Sequence, residues 1–291
     1  MNSSIVYFHG KCPDGFCAAA VAWTFFKENA TYIPCEYNDT GPDLDEIRNK
    51  DVFILDFHFN PDVMEKLQEK SKSLTILDHH KTAKEKLNHF CSQCHKKTYF
   101  NFDLKKSGAM LAWDYFYPNK EAPFLVKLIQ DRDLWSWELP SAKALCSRLD
   151  LEEFKFSRWG QLLEENSIEF WQNYAQEGQA IEAFKKVQVK ELLSAAKPIE
   201  INGFPGVALN LNCNFIKSLA GEMLLDSFEG ALFSMTYRVT PDMRIACSLR
   251  TKGFDASSHI AEKFGGGGHP QACGLTLSFE QLKTLMETGR L

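Results

Sequence analysis

Three short apolar runs in the first half of the chain, residues 5–9, 52–56 and 74–78, each close on a histidine or an aspartate: His9, Asp56 and Asp78. Imidazole and carboxylate gathered in one place suit a borderline divalent cation such as Mn²⁺, Zn²⁺ or Fe²⁺ better than Ca²⁺. His9 opens the stretch His9-Gly-Lys-Cys12-Pro-Asp14-Gly15, where a strand should give way to a helix. Taken alone, Asp14 reads as a helix cap beside an incidental histidine. Asp56 closes Val-Phe-Ile-Leu-Asp, and a buried carboxylate in that setting is costly unless a cation or hydrogen bonds satisfy it. Asp78-His79-His80 offers a metal ligand, a carboxylate to orient it, and an imidazole able to meet a phosphate or its leaving group. Further on, Asp131-Arg-Asp133-Leu-Trp ends an apolar helical pattern and reads equally as a solvated ion-pair cluster. Near the C-terminus the run Gly265 to Gly268 precedes His269 and follows Ser248-Leu-Arg250. Consecutive glycines let backbone N–H groups approach an anion. A linker is the plainer reading, weakened by the patterned segments on both sides.

The elements that must hold these residues alternate in type. Short β-rich runs at 5–9, 52–56 and 74–78 are separated by helical patterns at 15–28 and 64–69, the signature of βαβ units and a doubly wound parallel sheet. In such sheets ligands gather at the carboxyl ends of the strands, so His9, Asp56 and Asp78 should converge on one crevice. Residues 103–117 and 124–133 also carry helical spacing, and 158–196 reads as one or two long, mostly polar helices bridging two domains. From Lys197-Pro198 the pattern turns to β, at 199–201, 207–211, 231–240 and 244–249, with a helix near 218–225. The expected class is α/β: a first domain over 1–157, a helical linker over 158–196 and a smaller α/β domain over 197–291, which the resemblance given below makes the catalytic and the substrate-binding domain.

Composition narrows the function. The chain has 291 residues and a formal net charge of -5, which argues against bulk electrostatic capture of long nucleic acid. No window holds the ~18 or more apolar residues of a membrane span. Nine cysteines and an N-terminus without a basic, apolar leader point to reduced thiols in a cytoplasmic protein. Cys91-Ser-Gln-Cys94-His95 matches a short haem-attachment pattern, but with no second cysteine pair the plain reading is loop cysteines. Trp135, Trp137 and Trp159 could stack on bases, although packing is the simpler role. Lys96-Lys97 and Lys105-Lys106 read as solvated surface.

In this order, His9 to Gly15, Asp56, Asp78-His79-His80, Asp131 to Asp133 and Gly266-Gly267-Gly268-His269 resemble the motifs of the DHH phosphoesterase superfamily with its DHH-associated C-terminal domain. That superfamily includes RecJ-type exonucleases, nanoRNases, cyclic-dinucleotide phosphodiesterases and manganese pyrophosphatases. The resemblance implies a hydrolase that cleaves phosphodiester or phosphomonoester bonds of short oligonucleotides or small nucleotides by metal-activated water, with two domains closing across a cleft. The implied cofactor is one or two Mn²⁺ ions, with Zn²⁺, Fe²⁺, Mg²⁺ or Co²⁺ as substitutes. The implied metal ligands are His9, Asp14, Asp56, His79 and Asp131, with Cys12 as a further ligand and Asp133 as the fallback for Asp131. Asp78 would orient a ligand and His80 would touch the scissile phosphate. Arg250, Gly266, Gly267, Gly268 and His269 would hold a second phosphate or a terminal nucleotide. The implied partners are a short single-stranded nucleic acid, a nucleotide or a polyphosphate, and a second copy of the chain. The first motif departs from the family pattern, because Cys12 stands where an aspartate is usual. Rival readings are an exopolyphosphatase or pyrophosphatase, and a nucleotide-binding protein weakened as a catalyst.

Overall fold

The structure, a computed structural model, describes residues 3–36, 41–80, 83, 90 and 97–291. Cys91, Cys94, His95 and Lys96 lie outside the described residues. The chain forms two compact units, 1–179 and 180–291.

The first unit is built on a five-stranded, all-parallel sheet in the order β2-β1-β3-β4-β5. Its strands are β1 (Ser4–His9), β2 (Ala30–Cys35), β3 (Asp51–Leu55), β4 (Ser73–Asp78) and β5 (Thr98–Phe102). The three runs read as strands are its three inner strands, buried on both faces and therefore apolar throughout. The two edge strands escaped the reading. Pro34 speaks against a strand in the sheet interior, but β2 is an edge, where a missing N–H costs no ladder bond. From β1 the chain goes first to β2 on one side and then to β3 on the other. That reversal opens the crevice in which ligands of such sheets bind, at the carboxyl ends of β1 and β3.

Helix α1 (Pro13–Phe26) starts directly after β1, with Pro13 at its first turn. Its small side chains Ala18 to Ala22 are fully buried, which brings its backbone close to its neighbours. After α2 (Pro61–Lys70) come α3 (Gly108–Phe116), α4 (Phe124–Asp133), α5 (Ala142–Leu149) and α6 (Phe156–Glu164). The expected polar bridge over 158–196 is different in the structure. Trp159, Leu162 and Leu163 of α6, and Trp171, Tyr174 and Ala175 of α7 (Ile168–Leu192), join the core of the first unit. Val189, near the end of α7, joins a core of the second. The boundary between units therefore falls inside α7, because bulky residues every three or four positions tie its first half down.

The second unit carries a six-stranded mixed sheet in the order β10-β11-β9-β8-β7-β6. These are β6 (Lys197–Ile201), β7 (Phe204–Asn210), β8 (Phe233–Val239), β9 (Ile245–Thr251), β10 (Gly267–His269) and β11 (Ala272–Leu277). Only β7 and β8 run parallel, joined by the crossover helix α8 (Asn214–Ser227). Strand alternation gives each face its own core: Ile245, Cys247 and Leu249 face one way, Ala246, Ser248 and Arg250 the other. Two helices complete the chain, the short α9 (Ala256–His259) and α10 (Phe279–Thr288). The seven described cysteines are free. Among the described residues no helix is long and apolar enough to cross a membrane.

Candidate metal centre and anion face

The strand ends of the first unit do converge. His79 Nε2 lies 3.0 Å from Asp56 Oδ1, 3.5 Å from Asp14 Oδ2 and 3.6 Å from Asp133 Oδ2. Ligand atoms held ~2.0–2.2 Å from one cation stand about 3.0–3.5 Å apart, so this spacing is that of a coordination shell. Asp14, His79 and Asp133 form one three-donor group, and His9, Cys12 and Asp56 a second. Asp56 touches both, since its Oδ2 lies 3.5 Å from His9 Nδ1 while its Oδ1 meets His79. Five histidine and aspartate donors with Cys12 beside them, and a fourth carboxylate, Asp78, behind them, fit one or two divalent cations.

The local fold shows why these side chains sit so close. Asp56 has φ 54°, the left-handed region that aspartate tolerates better than bulky residues. Its amide donates to the Leu77 carbonyl, which pins the turn after β3 to β4. Helix α3 begins against it, and a Cβ on Gly108 would stand 2.4 Å from Asp56 Cβ, so only glycine fits there. The amides of Gly108 and Ala109 donate to the two Asp14 oxygens at 2.6 and 2.9 Å. Asp14 thus meets the positive end of the dipole of α3 rather than capping α1, the helix it opens, and faces the donor cluster as well.

Electrostatics describe a site balanced for a cation. Burial, then Asp56 and Asp133, push the Asp14 carboxyl well above its usual range. Burial alone would depress His79, but its hydrogen bond to Asp56 and the charges of Asp133, Asp56 and Asp14 outweigh it and push the pKa up to about 10. Without a metal, a proton on His79 holds the carboxylates together, and a cation would displace it. Burial works upward on Asp56 too, yet His79, His9 and His80 hold it below the ordinary carboxylate range.

Behind the donors lies Asp78. It accepts the backbone amides of His79 and His80 at 2.7 and 3.1 Å on Oδ1, which also meets His80 Nδ1 at 2.7 Å. Its Oδ2 lies 3.1 Å from Nδ1 of His58. Against the penalty of burial, His80 and His58 keep the Asp78 carboxyl below its usual range. Sequence reasoning missed His58. The signal was Phe57-His58-Phe59: the two phenylalanines are buried in a core cluster, so the residue between them points elsewhere.

Asp131, the first choice for the second metal, is not in the donor cluster. Its oxygens accept the Glu138 and Leu139 amides at 2.8 and 3.2 Å, which organises the turn after α4. Two residues on a helix point about 200° apart, so only one of the pair can face β4. The fallback, Asp133, does so. In that turn Trp135 and Trp137 take left-handed φ values of 60° and 54° and pack edge to face, while Trp159 is fully buried. Lys11, beside Cys12, pairs with Glu36.

In the second unit Arg250 and His269 lie in one cross-strand row: Arg250 pairs with Ala272 and Ala272 with His269. Opposed residues share a sheet face, so the Arg250 and His269 side chains face the same way. Arg250 donates to the Leu249 carbonyl and to Ser218 Oγ of α8, and a Cβ on Gly221 would lie 2.7 Å from its Cγ. Burial, then Arg250 and Arg238, lower the Lys217 pKa. Three cations therefore share this locality, two of which the sequence reading had not selected. The glycine run is tighter than a phosphate-cradling loop. Gly267 and Gly268 belong to β10, Gly266 donates its amide to the Ala261 carbonyl, and a Cβ on Gly266 would stand 2.1 Å from the Gly274 carbonyl oxygen.

The all-parallel sheet with its donors at the ends of β1, β3 and β4, and the second, mixed sheet bearing Gly267 to His269, form the α/β architecture expected from the sequence. No protein-family profile matches the chain. Uncharacterized protein R106 of Acanthamoeba polyphaga mimivirus is 30% identical over 291 aligned residues, covering 94% of this chain and 67% of that protein. The chain belongs to the same family as R106. Among solved structures it is similar to an exopolyphosphatase-related protein from Bacteroides fragilis, with TM-score 0.49 and 15% identity over 98% of this chain and 90% of that one. It is similar to a pGpG-specific phosphodiesterase from Vibrio cholerae, with TM-score 0.45 and 12% identity over 99% and 96%. It is also similar to RecJ from Thermus thermophilus, in a complex with Mn²⁺, with TM-score 0.46 and 14% identity over 98% and 51%.

Proposed function

We propose that the chain is a phosphoesterase of the DHH type that hydrolyses a phosphodiester or phosphomonoester in short oligonucleotides or small nucleotides. The observation that carries this reading is the pair of donor groups, Asp14-His79-Asp133 and His9-Cys12-Asp56, with Asp56 touching both. Divalent cations held there, Mn²⁺ foremost, would lower the pKa of water towards ~7 and offset charge on the phosphoryl oxygens. Asp14, His79 and Asp133 would hold one ion and His9 and Cys12 the other, with Asp56 in contact with both groups. Asp78 fixes the ring of His80 by its Nδ1 contact, which leaves Nε2 of a side chain only 16% exposed for a phosphoryl oxygen or leaving group. Arg250 and His269, with Lys217 and Arg238 near, suit a second phosphate, which favours substrates with a terminal phosphate.

The test is release of mononucleotide or phosphate from 5′- and 3′-labelled RNA and DNA oligomers, pAp, cyclic dinucleotides and polyphosphate. Cleavage of short nucleotide substrates with no action on polyphosphate is expected. Polyphosphate hydrolysis alone would move the reading to an exopolyphosphatase, and inertness towards every class would leave a binding protein.

A further inference from the structure

Resting on the two-cation reading, the inference concerns Cys12, the residue at which the first motif departs from the usual aspartate. Cys12 precedes α1, with Pro13 locking the first helical turn and the Phe16 amide bonded to the Cys12 carbonyl at 2.9 Å. On the other side of the turn, the Gly10 amide donates to the Cys35 carbonyl at 2.8 Å. A Cβ on Gly15 would stand 2.3 Å from the His9 carbonyl oxygen, so the helix start is pressed against the strand end. The result places Cys12 Sγ, a His9 ring nitrogen and an Asp56 oxygen mutually within 4.8 Å.

We propose that Cys12 makes the His9-Cys12-Asp56 site a thiolate site selective for zinc or ferrous iron, while Asp14-His79-Asp133 keeps the preference of an oxygen-rich site for Mn²⁺ or Mg²⁺. A thiolate carries the same charge as a carboxylate, so the exchange leaves the charge of the site unchanged and alters its softness. The sulfur stands one bond from Cβ where a carboxylate oxygen stands two, and the longer metal–sulfur bond, ~2.3 Å against ~2.0–2.2 Å to oxygen, makes up part of that reach. The centre is then a mixed pair of cations, one soft and one hard, with Asp56 between them. On binding, the S–H bond breaks, the sulfur–metal bond forms and one proton leaves to solvent.

The full chain, stripped with chelator and titrated with Co²⁺, tests this by absorption and by metal content after dialysis. A near-ultraviolet sulfur-to-cobalt charge-transfer band is expected to grow with the first ion bound. It should vanish in Cys12→Asp and Cys12→Ser and persist in Cys35→Ser. Cys12→Asp should still bind two ions, and its preference for Zn²⁺ over Mn²⁺ should fall by about tenfold or more. Two bound Co²⁺ ions without the band, or a band that survives in both Cys12 variants, would overturn the thiolate site while leaving the two-cation reading intact. Failure of the chain to bind Co²⁺ at all would remove both.

Discussion

Asp56→Asn is expected to remove turnover by at least about a thousandfold, or ~4 kcal/mol of transition-state stabilisation, while the chain stays folded. The loss is large because this one carboxylate meets His79 on one oxygen and His9 on the other, so its neutralisation weakens both proposed cation sites together. The fold should survive because asparagine shares the tolerance of aspartate for the left-handed backbone that φ 54° requires. A hydrolysis assay beside a thermal melt, both with and without Mn²⁺, checks it. In the wild type Mn²⁺ should raise the melting temperature, since a ligand bound only by the folded state stabilises it. In Asp56→Asn that rise should largely disappear. Retained turnover would show that Asp56 does not hold the reactive ions.

The second large effect separates two aspartates that are two residues apart. Asp133→Asn should cost turnover and Mn²⁺ affinity with little change in the metal-free melt, because Asp133 faces His79 across 3.6 Å and belongs to the donor cluster. Asp131→Ala should do the opposite. It deprives the Glu138 and Leu139 amides of a charged acceptor, at a cost of about 1–3 kcal/mol in stability, and leaves the metal-free donor cluster chemically complete. Isothermal titration with Mn²⁺ and denaturant unfolding of the two variants decide between the assignments. If Asp131→Ala loses Mn²⁺ and Asp133→Asn keeps it, Asp133 is not the ligand.

Those two aspartates also mark where reading the sequence reached its limit. The inner strands β1, β3 and β4 were legible because burial on both faces demands unbroken apolar runs, and the polar residue that ends each run is conspicuous. Convergence of His9, Asp56 and Asp78 then followed from the rule that parallel sheets bind ligands at their carboxyl ends. Choosing between Asp131 and Asp133 needed the rotation of α4, which a pattern of alternating charge does not specify. His58 was hidden because its role depends on a partner twenty residues away on the neighbouring strand. The edge strands β2 and β5 escaped because exposure relaxes the apolar pattern and admits Pro34 and the half-exposed Tyr99. The glycine run has a structural use that the sequence did not reveal. Its residues allow β10 to lie tightly against β11, while the cations that could meet a phosphate, Arg250 and Lys217, come from β9 and α8.

If the donors at the strand ends act through bound divalent cations on a phosphoester, hydrolysis must follow ion occupancy. The most direct measurement takes the chelator-stripped chain, returns Mn²⁺ in steps, and follows both ion occupancy and hydrolysis of a 5′-phosphorylated dinucleotide in the same samples. The predicted result is no hydrolysis in chelator and activity that rises with occupancy of the donor groups. Hydrolysis that persists undiminished in the stripped chain, or full occupancy with no hydrolysis of any phosphoester supplied, would contradict it.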